Sequence, residues 1–517
     1  MMGLRFLKSS KAAELVNEGD VIVTSGFVGS LCAEALTTAL ENRFQKTGHP
    51  NDLTLVYSAA QGDGKGKGVD HFAHEGFVKR VVGGHWNLSP ELGKMAVENR
   101  IEAYNLPQGT ISQLYRDIAG KRIGTITHVG LNTFVDPRIE GGKLNDVTRE
   151  DIVKLIDIEG EEKLFYKSFD IDVCFLRGTY ADKNGNISLE REVATIDVLS
   201  IAQACKNTGG TVVVQVEKVV DVGQLDPRLV KIPGIYVDAV VVAEPEYHEQ
   251  FFGCSGFDPA LTGEVRIPLG DIESPKLNAR KIIARRGAME LEPDTVVNLG
   301  IGIPEVISAV ANEEGIGEYM TMTVEAGPIG GVPMGGSAFG ACINAESIID
   351  EAYQFDFYDG GGTDLAFLGL AQADKGGNIN VSKFGSRIAG CGGFINITQN
   401  AKKVFFCGTF TAGGLKVETE NGRLKIIQEG KVPKFLDKVE QITFSGEYAR
   451  KIRQPVMYIT ERAVFELKND GLYLTEIAPG VDLEKDILDL MGFRPKMDKV
   501  KTMDERIFCD KLMGLKK

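Results

Sequence analysis

Tryptophan occurs once in 517 residues and histidine only six times, and no two of the eight cysteines form a CxxC pair. Cys32, Cys174, Cys205, Cys254, Cys342, Cys391, Cys407 and Cys509 are scattered, and read as buried thiols of a reducing cytoplasm. HExxH is absent and no histidine follows His248, so no zinc spacing occurs and no metal is expected. Basic residues are outnumbered, with 58 Lys and Arg against 72 Asp and Glu for a net charge of -14. That balance argues against a general nucleic-acid binder, yet leaves room for a local basic pocket for a small phosphorylated ligand. No apolar run approaches the roughly 18 residues of a membrane span. The opening MMGLRFLKSSKAAELV lacks the apolar stretch of a signal peptide, and MGLKK is neither a prenylation box nor a retention signal. The expectation is a cytoplasmic protein with no membrane or nucleic-acid partner.

Glycine is plentiful, at 61 residues, and it clusters in loops. At roughly 100–200 residues per domain the length allows three or four domains, or two large ones. Helix-like and strand-like segments alternate. SSKAAELVNEGD has helical spacing ending at Gly19, DVIVTSG reads as a buried strand, AEALTTALENRFQK as an amphipathic helix and NDLTLVYSA as a strand. This alternation predicts an α/β protein with mainly parallel sheets. The chain also repeats itself. AAELVNEGDVIVTSGFVG resembles RGAMELEPDTVVNLGIG, and DVCFLRGTYADKNGNIS resembles DLAFLGLAQADKGGNIN. One constant offset carries Ala181 onto Ala373, Asp182 onto Asp374, Asn186 onto Asn378 and VVVQV onto VFFCG. KIPGIYVDAVVV and RQPVMYITERAVFEL form a weaker third pair. We therefore expect two related α/β domains, 1–252 and 278–517, joined by a Gly-, Pro- and Ser-rich linker at 253–277. Ligand pockets favour domain interfaces, so the site is expected between the two.

Several glycine turns could carry chemistry. In VVNLGIGIPEVI a strand ends at Leu299 and is followed by Gly300-Ile301-Gly302-Ile303-Pro304, with Pro304 suited to the first turn of a helix. Free N–H groups there suit a phosphate or an oxyanion, and a plain tight turn fits equally. Glu305 stands where a dinucleotide fingerprint needs glycine, and no ribose-binding acid follows, which disfavours a nicotinamide enzyme. QGDGKGKGVDHF is no P-loop and reads as a mobile loop. In YMTMTVEAGPIGGVPMGG a β-prone run delivers Glu325 into a glycine-rich loop, the place where α/β proteins put reactive groups. A carboxylate satisfied by loop N–H groups is the alternative. Gly390-Cys391-Gly392-Gly393 could offer adjacent N–H donors, whereas Cys391 lacks a nearby histidine and is a poor nucleophile candidate. Gln108, between Pro107 and Gly109, reads as a solvated loop residue or as an amide donor to an oxyanion.

Taken together, NLGIGIP, the TVEAGPIGG glutamate, the GCGGF turn, PQGT and the tandem halves resemble the family I CoA-transferases, with matching stretches over nearly the whole chain. Within that family the likeness is to the propionate (acetate) enzymes of fermentative bacteria. The resemblance implies the CoA-transferase fold and a ping-pong exchange of CoA between short-chain acids. In it Glu325 attacks the acyl-CoA carbonyl to give an acyl–glutamyl anhydride and then a glutamyl–CoA thioester. It gives the oxyanion hole to the Gln108 amide and a backbone N–H of Gly392 or Gly393. It gives the CoA side to Gly300, Ile301, Gly302, Ile303, Pro304 and Gly390, with Lys416 as a phosphate partner. It implies acyl-CoA and carboxylic acids as substrates, no prosthetic group, and a homodimer or homotetramer. An acyl-CoA hydrolase on the same scaffold is the alternative. A non-catalytic acyl-CoA or sugar-phosphate binding protein is a reading from another class, and it would tolerate Glu325→Gln.

Overall fold

Runs rich in β-branched residues, such as Val21–Thr24, Thr211–Val216 and Ala239–Val242, form central strands of this computed structural model, which describes residues 4–268 and 275–516. The chain divides into two compact units. Unit 1 comprises the described residues up to Ile267 together with Val324–Asp356 and Phe384–Asn396. Unit 2 comprises the described residues of Pro268–Thr323, of Phe357–Lys383 and of the chain from Ile397 onward. A unit boundary thus falls inside 253–277, whose residues 269–274 lie outside the described residues. Two stretches of the second half of the chain belong to unit 1, so the units do not follow a single cut.

Unit 1 is built on eight strands: β1 (Arg5–Leu7), β2 (Val21–Thr24), β3 (Leu53–Tyr57), β4 (Val78–Gly83), β5 (Glu102–Asn105), β6 (Val173–Arg177), β7 (Thr211–Val216) and β8 (Ala239–Val242). Their order is β1-β8-β7-β6-β2-β3-β4-β5, and every pair is parallel. Helices α1 (Glu34–Thr47), α2 (Gln108–Ala119) and α3 (Val198–Thr208) belong to this unit, and α1 stops at Gly48, whose φ of 72° lets its N–H reach Phe44 O. Trp86, Tyr57, Phe72 and Phe77 fill its core. In unit 2, β9 (Thr295–Leu299), β10 (Met320–Thr323), β11 (Leu365–Gly369), β12 (Lys403–Cys407) and β13 (Val456–Ile459) run parallel in the order β10-β9-β11-β12-β13. The hairpin β14 (Ala463–Lys468) and β15 (Gly471–Ile477) continues it antiparallel.

The internal repeat survives at the level of single hydrogen bonds. Asp172 and Asp364 each accept, at 2.8 Å, the N–H of the strand beside them, Val21 in one unit and Val296 in the other. Asp182 accepts the N–H groups of Asn184 and Asn186 and the Asn186 amide at 2.8–2.9 Å. Asp374 does the same for Gly376, Asn378 and the Asn378 amide at 2.9–3.1 Å. Asn186 and Asn378 then accept the N–H of Gly234 and Gly446.

Two local expectations fail. Only Ser9–Ala13 of SSKAAELVNEGD is helical, because Leu15 and Val16 bond back three residues and the Asp20 carboxylate takes the Asn17 N–H at 2.7 Å. The glycine-lysine segment is pinned rather than mobile. Asp63 accepts from Lys65 and Lys67, Gly68 donates to Glu34, and residues 68–72 form a short 3-10 turn.

Asp182 and Asp374 each accept three hydrogen bonds within their own turn, and Asp374 also takes the Val439 N–H at 3.3 Å. Asp182→Ala and Asp374→Ala are each expected to destabilise the protein by about 1–3 kcal/mol, read as a lower urea midpoint with an unchanged slope.

Candidate functional site

Strand β5 ends at Asn105, and the chain turns through Leu106-Pro107 into α2, whose first residue is Gln108. Proline cannot donate, so it costs nothing at the helix cap. Gln108 is therefore a buried helix residue, 2% exposed, and not a solvated loop residue. Its backbone N–H donates to Gly392 O at 3.0 Å and its Nε2 donates to Glu351 Oε1 at 2.8 Å.

Glu351 opens α4 (Glu351–Asp359), and residues 351–356 of that helix pack on α2 within unit 1. Gly109 makes the approach possible, since a Cβ there would stand 2.3 Å from the Phe355 ring, and its N–H donates to Asn396 Oδ1 at 3.2 Å. Arg116 adds an ion pair to Asp356 at 2.6 Å.

The segment Gly390–Gly393 is held from several sides. Gly390 has φ +82° and no room for a side chain, because a Cβ would meet His85 Cα at 2.8 Å and Trp86 N at 2.9 Å. Cys391 donates its N–H to Asn105 Oδ1 at 2.9 Å, and Asn105 Nδ2 donates to Gly83 O and Gly84 O. Gly392, at φ +52°, donates to Gly84 O at 2.8 Å. The Cys391 thiol is buried and pushed far above the ordinary thiol range, which makes it inert at neutral pH.

Glu325 stands two residues beyond β10, in a turn closed by Val324 N–H to Pro328 O and Gly327 N–H to Val324 O, both 3.0 Å. Gly327 is obligatory, since φ is +121° and a Cβ would fall 1.9 Å from Ile349 O. The Glu325 carboxyl lies against Gly393: a Cβ on that glycine would be 2.9 Å from Cδ and 3.1 Å from Oε1. Glu325, Gln108, Gly390, Gly392 and Gly393 thus all belong to unit 1, and contacts through Gly392 and Gly393 bring the first two together.

This neighbourhood is poor in compensating charge. Burial pushes the Glu325 carboxyl up to about 7 although the residue keeps some exposure. Burial, with Asp197 and Glu325 nearby, pushes Glu351 well above the carboxylate range. Asp197, which accepts from the hydroxyls of Ser58 at 2.6 Å and of Ser112, rises to about 6 through burial. His85, whose Cδ2 lies 3.5 Å from where a Gly392 Cβ would be, is held neutral by burial at about 4. Glu351, Asn105, Asp197 and His85 escaped sequence reasoning: Glu351 and Asp197 sit in no glycine turn, and His85 after Gly83-Gly84 and Asn105 ahead of Pro107 have no spaced partner to mark them.

The other expected residues lie in unit 2. Gly300 N–H is spent on Phe367 O at 2.8 Å, and Gly302 has φ +95° with Arg280 donating to its carbonyl. Pro304 is not in the first helical turn, because Glu305 occupies the cap and the helix Val306–Glu313 starts after it. Ile301, between Gly300 and Gly302, is 57% exposed. Lys416 begins an exposed ribbon, Lys416–Glu420 paired with Arg423–Gln428.

Among the described residues, no helix is long and apolar enough to cross a membrane. The family described as Coenzyme A transferase matches residues 7–243. Acetate CoA-transferase YdiF of Escherichia coli strain K12 is 45% identical over 508 residues, 97% of this chain and 95% of that protein. Caffeate CoA-transferase of Acetobacterium woodii is 46% identical over 518 residues, 99% of this chain and 98% of its own. Among solved structures, the apoenzyme of the acyl-CoA transferase YdiF from Escherichia coli O157:H7 superposes with a TM-score of 0.94 at 44% identity, covering 99% of this chain and 97% of that one. A thioester complex of YdiF with CoA gives 0.93 at 43%, with the same coverage. The chain belongs to the family I CoA-transferases. It is an enzyme of the acyl-CoA:carboxylate CoA-transferase class with the two-domain α/β fold of that family.

A buried carboxylate without a cation is a stability cost. Glu325→Gln is expected to raise the thermal midpoint at pH 8. The folded carboxyl holds its proton to about 7 and the unfolded one only to about 4.5. The gain therefore shrinks as pH falls through 7 and vanishes below about 4.5, as differential scanning calorimetry across that range would read.

Proposed function

We propose that the protein moves CoA between short-chain carboxylic acids of the acetate and propionate type, with Glu325 as the nucleophile. The observation that carries this reading is the Glu325 carboxyl packed on the Cα of Gly393, partly exposed and without a cation to weaken it as a nucleophile. A Glu325 oxygen attacks the thioester carbonyl, the new C–O bond forms, the C–S bond breaks and CoA leaves as the thiolate. The thiolate then attacks the glutamyl carbonyl of the anhydride and expels the first acid as its carboxylate. The incoming carboxylate reverses both steps, so no net proton, metal or electron transfer enters the balance. Covalent catalysis divides a hard exchange between a thioester and a carboxylate into easier steps.

Each step puts negative charge on a carbonyl oxygen, and fixed N–H donors offset it. We assign these donors to the Gln108 amide and the Gly393 N–H. Gly392 is set aside because its N–H is already committed to Gly84 O. Exclusion of water protects the anhydride and the thioester from hydrolysis. The CoA chain is given to Gly300, Ile301, Gly302, Ile303 and Pro304, with Gly390 and Lys416, on the strength of the motif. The same reading takes CoA as substrate with no prosthetic group, divides the chain into tandem domains 1–252 and 278–517, and makes it a cytoplasmic homo-oligomer.

Incubation with propionyl-CoA and no acceptor, followed by peptide mass spectrometry, is expected to find a CoA thioester on the peptide holding Glu325. Added acetate discharges it as acetyl-CoA. Steady CoA release without an adduct would instead describe a hydrolase, and neither would leave the reading without support. The rate of adduct formation is expected to fall tenfold per pH unit below about 7, since only the ionised Glu325 attacks. Gln108→Ala is expected to lower that rate by about 10²–10³-fold, measured by rapid quench.

A further inference from the structure

Gln108 has a partner that no motif announces. We infer that Glu351 is a positioning residue for the acyl-transfer step, its buried carboxyl pinning the Gln108 amide so that the remaining amide N–H stays available to the reacting carbonyl. The inference rests on the transferase reading above and deepens it.

The geometry is direct. Gln108 Nε2 donates to Glu351 Oε1 at 2.8 Å, and both residues are buried, at 2% and 0% exposure. Each sits at the first position of its helix, where the side chain is free of the preceding turn. The far side of the amide faces the glycine turn, with Gln108 Oε1 3.6 Å from where a Gly392 Cβ would stand. The amide is thus clamped between Glu351 and Gly392. A primary amide has two N–H bonds, and Glu351 takes one, which leaves one to donate.

The carboxyl is suited to this task as a neutral acid. Its Oε2 is buried with no hydrogen-bond partner, which costs an ionised group far more than a neutral acid. Burial and the Asp197 and Glu325 carboxyls disfavour a negative charge on it, against the Gln108 hydrogen bond that favours one, and the neighbouring Tyr115 phenol stays neutral. An ionised Glu351 would also oppose the charge that develops on the substrate oxygen. The same helix face carries Ser112 to Asp197, one turn beyond Gln108, so α2 is anchored at two successive points.

The test is a double-mutant cycle on adduct formation at Glu325 with propionyl-CoA, with kcat and KM measured alongside. Glu351→Ala is expected to slow adduct formation about 10- to 100-fold with KM for acyl-CoA within about threefold, because orientation is lost and binding is not. Glu351→Gln, which keeps an acceptor oxygen and stays neutral, is expected to restore most of the rate. Gln108→Ala combined with Glu351→Ala is expected to be no slower than Gln108→Ala alone, since the two act through one group. Additive losses, or Glu351→Gln as slow as Glu351→Ala despite a native circular dichroism spectrum, would overturn the positioning role. So would a Glu351→Ala enzyme as fast as the wild type. A wild-type enzyme that forms no adduct at Glu325 would instead overturn the transferase reading itself, and the two failures are thereby told apart.

Discussion

The peptide Gly390–Gly393 is bonded through its backbone to three other segments, and the candidate site hangs on those bonds. Gly392 ties to Gly84 and Gln108, Cys391 to Asn105, and Gly393 gives its bare Cα to the Glu325 carboxyl. A side chain at 390 or 393 has no room without moving backbone or the carboxyl itself. Close packing of this kind turns small displacements into large ones, because a well-packed interior has few ways to relax. The geometry of the candidate site is therefore a packing problem first, and the electrostatics follow from it.

Those electrostatics are set by withholding solvent more than by adding charge. Glu325, Glu351 and Asp197 all rise above their ordinary range through burial, and among the described residues none of the three has a basic hydrogen-bond partner. Neutral donors do the holding: two serine hydroxyls at Asp197 and an amide at Glu351. Such an arrangement keeps a carboxylate reactive, where an arginine beside it would stabilise the ground state and blunt its attack. The stability forgone here is recovered elsewhere, in the duplicated aspartate turns and the parallel sheets of the two units.

The α/β class, the parallel strands and the internal repeat were legible in the sequence because they depend on local periodicity and on short spacings. Asp182 and Asp374 do in the structure what their alignment suggested, since an Asx turn is decided by a few neighbouring residues. Glu325 and the GCGGF turn were conspicuous for a similar reason, because glycine marks backbone that must bend or be approached. The early end of the first helix was not legible, as it depends on Asp20 reaching back to Asn17. Nor was Pro304's place ahead of the helix, where Glu305 takes the cap.

Sequence by itself determined the family and the fold class and singled out Glu325 as a candidate, through motifs whose residues are neighbours along the chain. Only the tertiary structure decided that Val324–Asp356 and Phe384–Asn396 fold with the first part of the chain. Only it paired Gln108 with Glu351, committed the Gly392 N–H to Gly84, and brought Gly393 against Glu325. The reason is physical. Local turns are fixed by dihedral preferences and short hydrogen bonds, which a sequence displays. Desolvation, and contacts between residues hundreds of positions apart, arise only when helices and loops are packed, and no spacing along the chain encodes them singly.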